Sequence, residues 1–307
     1  MPLRFYFFFL LTTLLLLFYP GEHPFLQVIA FNRDLFVQQD RETSYELHPI
    51  PVIDKATAPF ITAGGVYIVE LASFTPLYQK NEHIHFFPAS TTKIITSLVA
   101  SELYRPDEVI TVDKVTTEGQ VMGLVPGERI TAENLLYGTL VHSGNDAAYA
   151  LADHFGYDKY IELMNTKAEE LGMKDSHFVN PAGFDNVGQL TSPYDLAVAG
   201  RALIQNPYLK KMVGTKEIVI SDVDYSIFHR LSNVNTLLGE IQGLGGLKTG
   251  QTEQAGENLV SFYKHEGHDY IIVVMRSEDR FSDTTALVDW IISSVRYIEP
   301  ELNITVQ

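Results

Sequence analysis

The sequence predicts an α/β fold of the α+β kind, with an antiparallel sheet flanked by helices and a separate all-helical lobe. Three stretches carry that expectation. Residues 66–71 and 77–80 are rich in β-branched and aromatic side chains around Ser73-Phe74-Thr75-Pro76, a hairpin pattern. A long block then shows apolar residues at helical spacing, and residues 217–275 return to strand patterning before an amphipathic helix over 281–297.

At the amino terminus, Arg4 is followed by an almost wholly apolar run over residues 5–19, the charged and apolar regions of an export signal. Fifteen residues make a helix of roughly 22 Å, short of a hydrocarbon core of about 30 Å. Val28-Ile29-Ala30 carries residues that a signal peptidase accepts, but it lies beyond Glu22 and His23, far from the apolar run. Residues 1–30 are therefore expected to be a cleaved signal peptide or a retained membrane anchor. Residues 31–60, punctuated by Pro49, Pro51 and Pro59, are expected to be an irregular tether, and residues 61–300 the folded domain.

Within that domain, Pro88 starts a helix whose apolar positions are Ile94, Ile95, Leu98 and Val99. Thr131 opens the next, running to about His142, and residues 147–155 and 160–171 follow, with Gly172 as the stop. Ser192-Pro193 starts a helix over 194–204, ended at Asn206-Pro207. Strands are expected at 217–221 and 225–229 around Asp222-Val223-Asp224, then at 245–248, 258–263 and 270–275. The last two form a hairpin about His265-Glu266-Gly267-His268.

The 307 residues are 46% hydrophobic, enough for a substantial core. A formal charge of -16 disfavours nucleic acid and anionic membrane surfaces as partners. There is no cysteine, so disulfides and thiolate metal sites are excluded. His83 and His85 alternate without a third ligand, and no metal or organic cofactor is expected.

The stretch Phe87-Pro88-Ala89-Ser90-Thr91-Thr92-Lys93 puts a serine and a lysine three apart on one helical face. A serine hydroxyl attacks a carbonyl only if a neighbour takes its proton, and a lysine does so only when neutral. Burial or a second cation supplies that neutrality. Alone the pair is weak, since a chain of this length holds roughly one S-x-x-K by chance. Ser143-Gly144-Asn145 falls between two expected helices, however, and Lys248-Thr249-Gly250 ends an expected strand. All three triplets in this order arise by accident only a few times per thousand chains, an order-of-magnitude figure from average residue usage.

With these triplets the chain resembles the low-molecular-mass penicillin-binding proteins, the serine-type D-alanyl-D-alanine carboxypeptidases. The likeness extends from Gly64 to about Trp290, through Phe178-Val179-Asn180-Pro181-Ala182-Gly183, Leu231-Ser232-Asn233 and Gly246-Leu247-Lys248-Thr249-Gly250. It implies the β-lactamase/transpeptidase-like fold, with the active site between sheet and helical lobe, and makes residues 61–300 a serine D,D-peptidase catalytic domain. On this resemblance Ser90 is the nucleophile that forms an acyl-enzyme, Lys93 its base and Ser143 a proton relay to the leaving amine. Lys248 lowers the Lys93 pKa and attracts the substrate carboxylate, to which Thr249 donates, while Asn145 orients Lys93 or the substrate amide. Gly250 completes the third triplet. Backbone N–H groups of Ser90 and Gln251 form the oxyanion hole, and Arg280, before Phe281, helps hold the terminal carboxylate.

The resemblance has departures. Gln189-Leu190 stand where the family usually has a histidine, Arg276 where it usually has glycine, and the loop before Arg280 is short. A class A β-lactamase needs a glutamate in an E-x-x-L-N loop, and residues 178–184 read FVNPAGF instead, so penicillin should be released slowly. The expected partners are peptidoglycan stem peptides and β-lactam inhibitors, at an exported, extracytoplasmic location. A D,D-endopeptidase that cuts crosslinks by the same chemistry remains an alternative, with a β-lactamase or a non-catalytic wall-binding protein behind it. No C-terminal β-rich domain is expected, which leaves residues 5–19 as the means of membrane attachment.

Overall fold

The structure is a computed structural model that describes residues 3–18, 49–54 and 57–299. The chain divides into residues 1–48 and residues 49–307. In the first unit the apolar run forms helix α1, Leu3–Phe18, where Thr12 and Thr13 donate to the carbonyls of Phe8 and Phe9 one turn back. Among the described residues no helix is long and apolar enough to cross a membrane. The expected cleavage region near residue 30 and most of the tether lie outside the described residues.

The second unit is built on a five-stranded antiparallel sheet in the order β3-β2-β10-β9-β8. Its strands are β2 (Gly65–Glu70), β3 (Pro76–Lys80), β8 (Leu244–Thr252), β9 (Gly256–His265) and β10 (His268–Ser277). Successive strand residues point to opposite faces, and here both faces are covered, which is why β2 is buried at every position. Tyr67, Val69, Val260, Phe262, Ile271 and Val273 share a core with the helical lobe. Val66, Ile68, Tyr263, Ile272 and Val274 pack on Leu287, Val288 and Ile291 of α8, Arg280–Ser294.

The helical lobe comprises α2 (Lys93–Leu103), α3 (Ala132–Leu140), α4 (Asn145–Phe155), α5 (Tyr157–Leu171), α6 (Pro193–Gln205) and α7 (Pro207–Val213). Helix α2 is its axis. Residues 93–100 are all buried, so this helix is enclosed on every side rather than presenting one apolar stripe.

Several elements differ from the sequence expectation. Ile50–Ile53 is not irregular tether but strand β1, which pairs antiparallel with β11, Val295–Ile298, so the closing helix stops at Ser294 rather than running to 297. Helix α7 was hidden by its own stop signal: Asn206, which ends α6, accepts from the N–H groups of Tyr208 and Leu209 and caps a new helix with Pro207 at its first turn. Two three-residue strands, β4 (Val109–Thr111) and β5 (Arg129–Thr131), are too short to show a period. The strand expected at 225–229 is β7, Phe228–Ser232, paired with β6, Glu217–Ser221. The Asp222 carboxylate accepts from Ser226 and Ile227 N–H and the Ser226 hydroxyl, which lengthens the turn and delays the strand.

Candidate active site

Three segments converge on Lys93. Ser90 lies in a 3-10 turn, Ala89–Thr92, that runs directly into α2, so residues 90 and 93 stack on one side. Lys93 is 0% exposed, and its Nζ lies 2.8 Å from Ser90 Oγ, 2.7 Å from Asn145 Oδ1 and 2.8 Å from the Ala182 carbonyl. Asn145 opens α4; its Nδ2 donates to the Glu118 carbonyl and its N–H to the Gln120 carbonyl. Two of the three Lys93 partners, a carbonyl and an amide oxygen, can only accept. A neutral amine, with two N–H bonds and one lone pair, satisfies both and turns its lone pair to the one partner that can donate, the Ser90 hydroxyl.

The electrostatics favour that neutral form. Burial pushes the Lys93 pKa well below the ordinary lysine value, the nearby Lys248 cation pushes it further, and Asp146 opposes them. The sequence expectation named burial or a second cation, and of the two burial is the larger cause. Lys248 on β8 is itself lowered to about 7, first by burial and then by Arg280. Its Nζ donates to Ser143 Oγ at 2.8 Å and to the Thr249 carbonyl at 2.9 Å. Among the described residues Ser143 Oγ is joined to Lys248 and not to Lys93 or Ser90. Ser143 has φ of +62°, in the left-handed region that a serine rarely occupies, on the link between α3 and α4.

Strand β8 meets the Ser90 turn at Gly250, where a Cβ would stand 2.9 Å from Ser90 N and 3.1 Å from the Pro88 carbonyl. Only a bare backbone reaches this close to the serine N–H. Thr249 and Lys248 are buried beside it, and Gln251 is exposed at the strand end. Arg280 is 8% exposed, not a solvated surface residue; its guanidinium donates to the Gly250 carbonyl and Gln251 Oε1 at 3.4 Å each, lies 3.7 Å from Glu257, and leaves Nε unpartnered. All nine residues singled out in the sequence therefore fall in one region, at the junction of β8 with the helical lobe.

Sequence reasoning missed the supports. The Asp146 carboxylate accepts from Met122, Gly123, Leu124 and Ala147 N–H groups and so pins the loop whose carbonyls hold Asn145. Asn258 on β9 donates to the Phe87 and Pro88 carbonyls and accepts from Arg276 N–H, tying the sheet to the serine turn. Ala182 acts through its carbonyl, a group every residue has, and so gives no side-chain signal.

A family model described as D-alanyl-D-alanine carboxypeptidase matches residues 53–279. The chain is 30% identical over 280 residues to the D-alanyl-D-alanine carboxypeptidase DacF of Bacillus subtilis, covering 87% of this chain and 69% of that protein. It is 34% identical over 252 residues to DacD of Escherichia coli, covering 76% of this chain and 63% of that one. Among solved structures, the Streptomyces K15 DD-transpeptidase is similar with a TM-score of 0.73 at 30% identity, covering 77% of this chain and 99% of that one. The carboxypeptidase DacD of Francisella tularensis gives 0.72 at 28%, covering 79% and 73%.

Proposed function

Because the chain belongs to the D-alanyl-D-alanine carboxypeptidase family, whose members are serine hydrolases, we propose that it removes the terminal D-alanine of peptidoglycan stem peptides through an acyl-enzyme on Ser90. One observation carries this reading: Lys93 is enclosed, disfavoured as a cation, and has two obligate acceptors that leave its lone pair to Ser90.

Ser90 Oγ attacks the carbonyl of the penultimate D-alanine as its proton passes to Lys93 Nζ. The oxyanion that forms is received by the N–H groups of Ser90 and Gln251, at the close approach that Gly250 permits. Ser143, held by Lys248, hands a proton to the departing amine, since a hydroxyl can donate and accept at once. Lys248, Thr249 and Arg280 hold the terminal carboxylate, Arg280 contributing a permanent charge beside the Gly250 carbonyl. Asn145 serves Lys93 through Oδ1, and its Nδ2, with one N–H given to the Glu118 carbonyl, keeps a second for the substrate amide. Water then attacks the ester, giving up a proton that replaces the one Ser143 passed on, and Ser90 Oγ recovers its own proton from Lys93 as the acid departs. The apolar residues of α1 suit export to the cell envelope, where such peptides and β-lactams are met.

The test is labelling with a fluorescent penicillin. Wild type should form a covalent adduct and Ser90→Ala none; an unlabelled, folded wild type would sink the mechanism. Incubation with a pentapeptide and with a crosslinked dimer then separates the activities: D-alanine release from the pentapeptide is expected, and cleavage of the dimer alone would make the enzyme an endopeptidase.

A further inference from the structure

Gln189 stands in the neighbourhood where the family usually carries a histidine, and no role in catalysis attaches to it in the mechanism above. It is 0% exposed. Its Oε1 accepts from the N–H groups of Val179 at 2.7 Å and Asn180 at 3.2 Å, while its Nε2 donates to Thr92 Oγ1 at 2.9 Å and, longer, to the Asn180 carbonyl at 3.4 Å. Two N–H groups facing one end and acceptors facing the other fix which way the amide points. Every donor and acceptor of the amide is used.

What this amide joins is informative. Thr92 is the residue before Lys93, and residues 179–180 lead into Pro181 and Ala182. The Pro181 carbonyl accepts from Thr96 Oγ1 at 2.7 Å, and the Ala182 carbonyl accepts from Lys93 Nζ at 2.8 Å. Asn180 curls the segment, accepting from Gly183 and Phe184 N–H through Oδ1 and donating to the Phe184 carbonyl. Gly183 has φ of +91° and a Cβ there would lie 1.8 Å from the Ala89 carbonyl, so the segment sits hard against the turn that bears Ser90. Three hydrogen bonds thus stitch it to the end of the 3-10 turn and the first turn of α2, at Thr92, Lys93 and Thr96, and Gln189 supplies the one nearest the lysine backbone.

We propose that Gln189 is a positioning residue for the acylation step: by bridging Thr92 to residues 179–180 it fixes the Ala182 carbonyl where Lys93 must donate, and so keeps the Lys93 lone pair on Ser90. This rests on the function proposed above, in which Lys93 is the base. The argument is geometric. If the carbonyl moves away, Nζ gains a free N–H and can turn it toward Ser90, which replaces a base with a competing donor.

The experiment measures acylation of the full chain by a β-lactam, separating the first-order acylation constant from the dissociation constant of the preceding complex. Gln189→Leu should lower the acylation constant about 10- to 100-fold, the cost of a displaced catalytic group, with the dissociation constant unchanged. In a Lys93→Met background, where that base is gone, Gln189→Leu should have no further effect. A slowing of equal size in both backgrounds, or an unaltered acylation constant in folded Gln189→Leu, would overturn the proposal. Thr92→Val, which removes the acceptor but leaves Gln189 in place, should behave like Gln189→Leu, and Thr92→Ser should retain the wild-type constant. This second pair decides the matter if Gln189→Leu does not fold. An unlabelled wild type would indict the proposed function instead; a labelled wild type with indifferent variants would indict only Gln189.

Discussion

Lys93 and Lys248 are both buried and both pushed toward neutrality by desolvation, yet the molecule holds them by different means. Lys93 sits where a helix start, the opening residue of α4 and the Ala182 segment meet, with an oxygen from each. Lys248 lies on the edge strand β8 and bonds its own neighbour's carbonyl and the Ser143 hydroxyl. Lys93 is thus held by three oxygens from three separate segments, and Lys248 by only one oxygen from outside its own strand. A buried amine that must aim a lone pair needs obligate acceptors around it; one that must meet an anion needs room and a field.

Substitutions can break this contrast. Lys93→Met should cost most, about 10,000-fold in acylation, at the top of the range for a general base. Stopped-flow labelling by a β-lactam checks it, and a loss under tenfold would show that another group accepts the serine proton. Lys248→Met should cost about 100-fold, the scale of one lost electrostatic contact. It also removes a repulsion that lowers the Lys93 pKa, so Lys93 stays charged to higher pH and the acid limb of the acylation profile should move upward. An unmoved limb would mean that burial alone keeps Lys93 neutral. Asp146→Asn should act most weakly on rate. The Asp146 charge favours the Lys93 cation, so its removal should shift the same limb to lower pH, while the mismatched amide costs about 1–3 kcal/mol of stability in denaturant unfolding.

The opposite pH behaviour is expected for the carboxylate end of the substrate. Lys248 titrates near 7, so its attraction for a peptide carboxylate should fade as the pH rises past that value, raising KM for a carboxylate-ended peptide. A peptide amide should show no such rise. Arg280 retains its charge throughout and sets the residual affinity.

The residues that do the proposed chemistry were legible in the sequence because that chemistry needs particular side chains: a hydroxyl at 90, amines at 93 and 248, a second hydroxyl at 143. The β-branched and aromatic runs of β2, β9 and β10 and the caps at Thr131 and Ser192 were legible for the same reason, since each rests on side-chain type. What stayed hidden works through backbone atoms or long separations. The Ala182 carbonyl has no signature, Asn258 reaches residues 170 and 171 positions away, and β1 finds its partner only at the other end of the unit. Gln189 was noticed as a departure from a family pattern, but its meaning lay in four contacts that no spacing reveals.

The β1–β11 ribbon places Ile50 directly opposite Ile298, so the two ends of the described part of the second unit lie side by side. Such a unit is topologically close to a circle. A short linker between these two ends, with new termini opened at the solvent-facing Glu266-Gly267 turn, would give a circular permutant that keeps every strand of the main sheet intact and leaves the Ser90 turn, β8 and the helical lobe in their present connectivity.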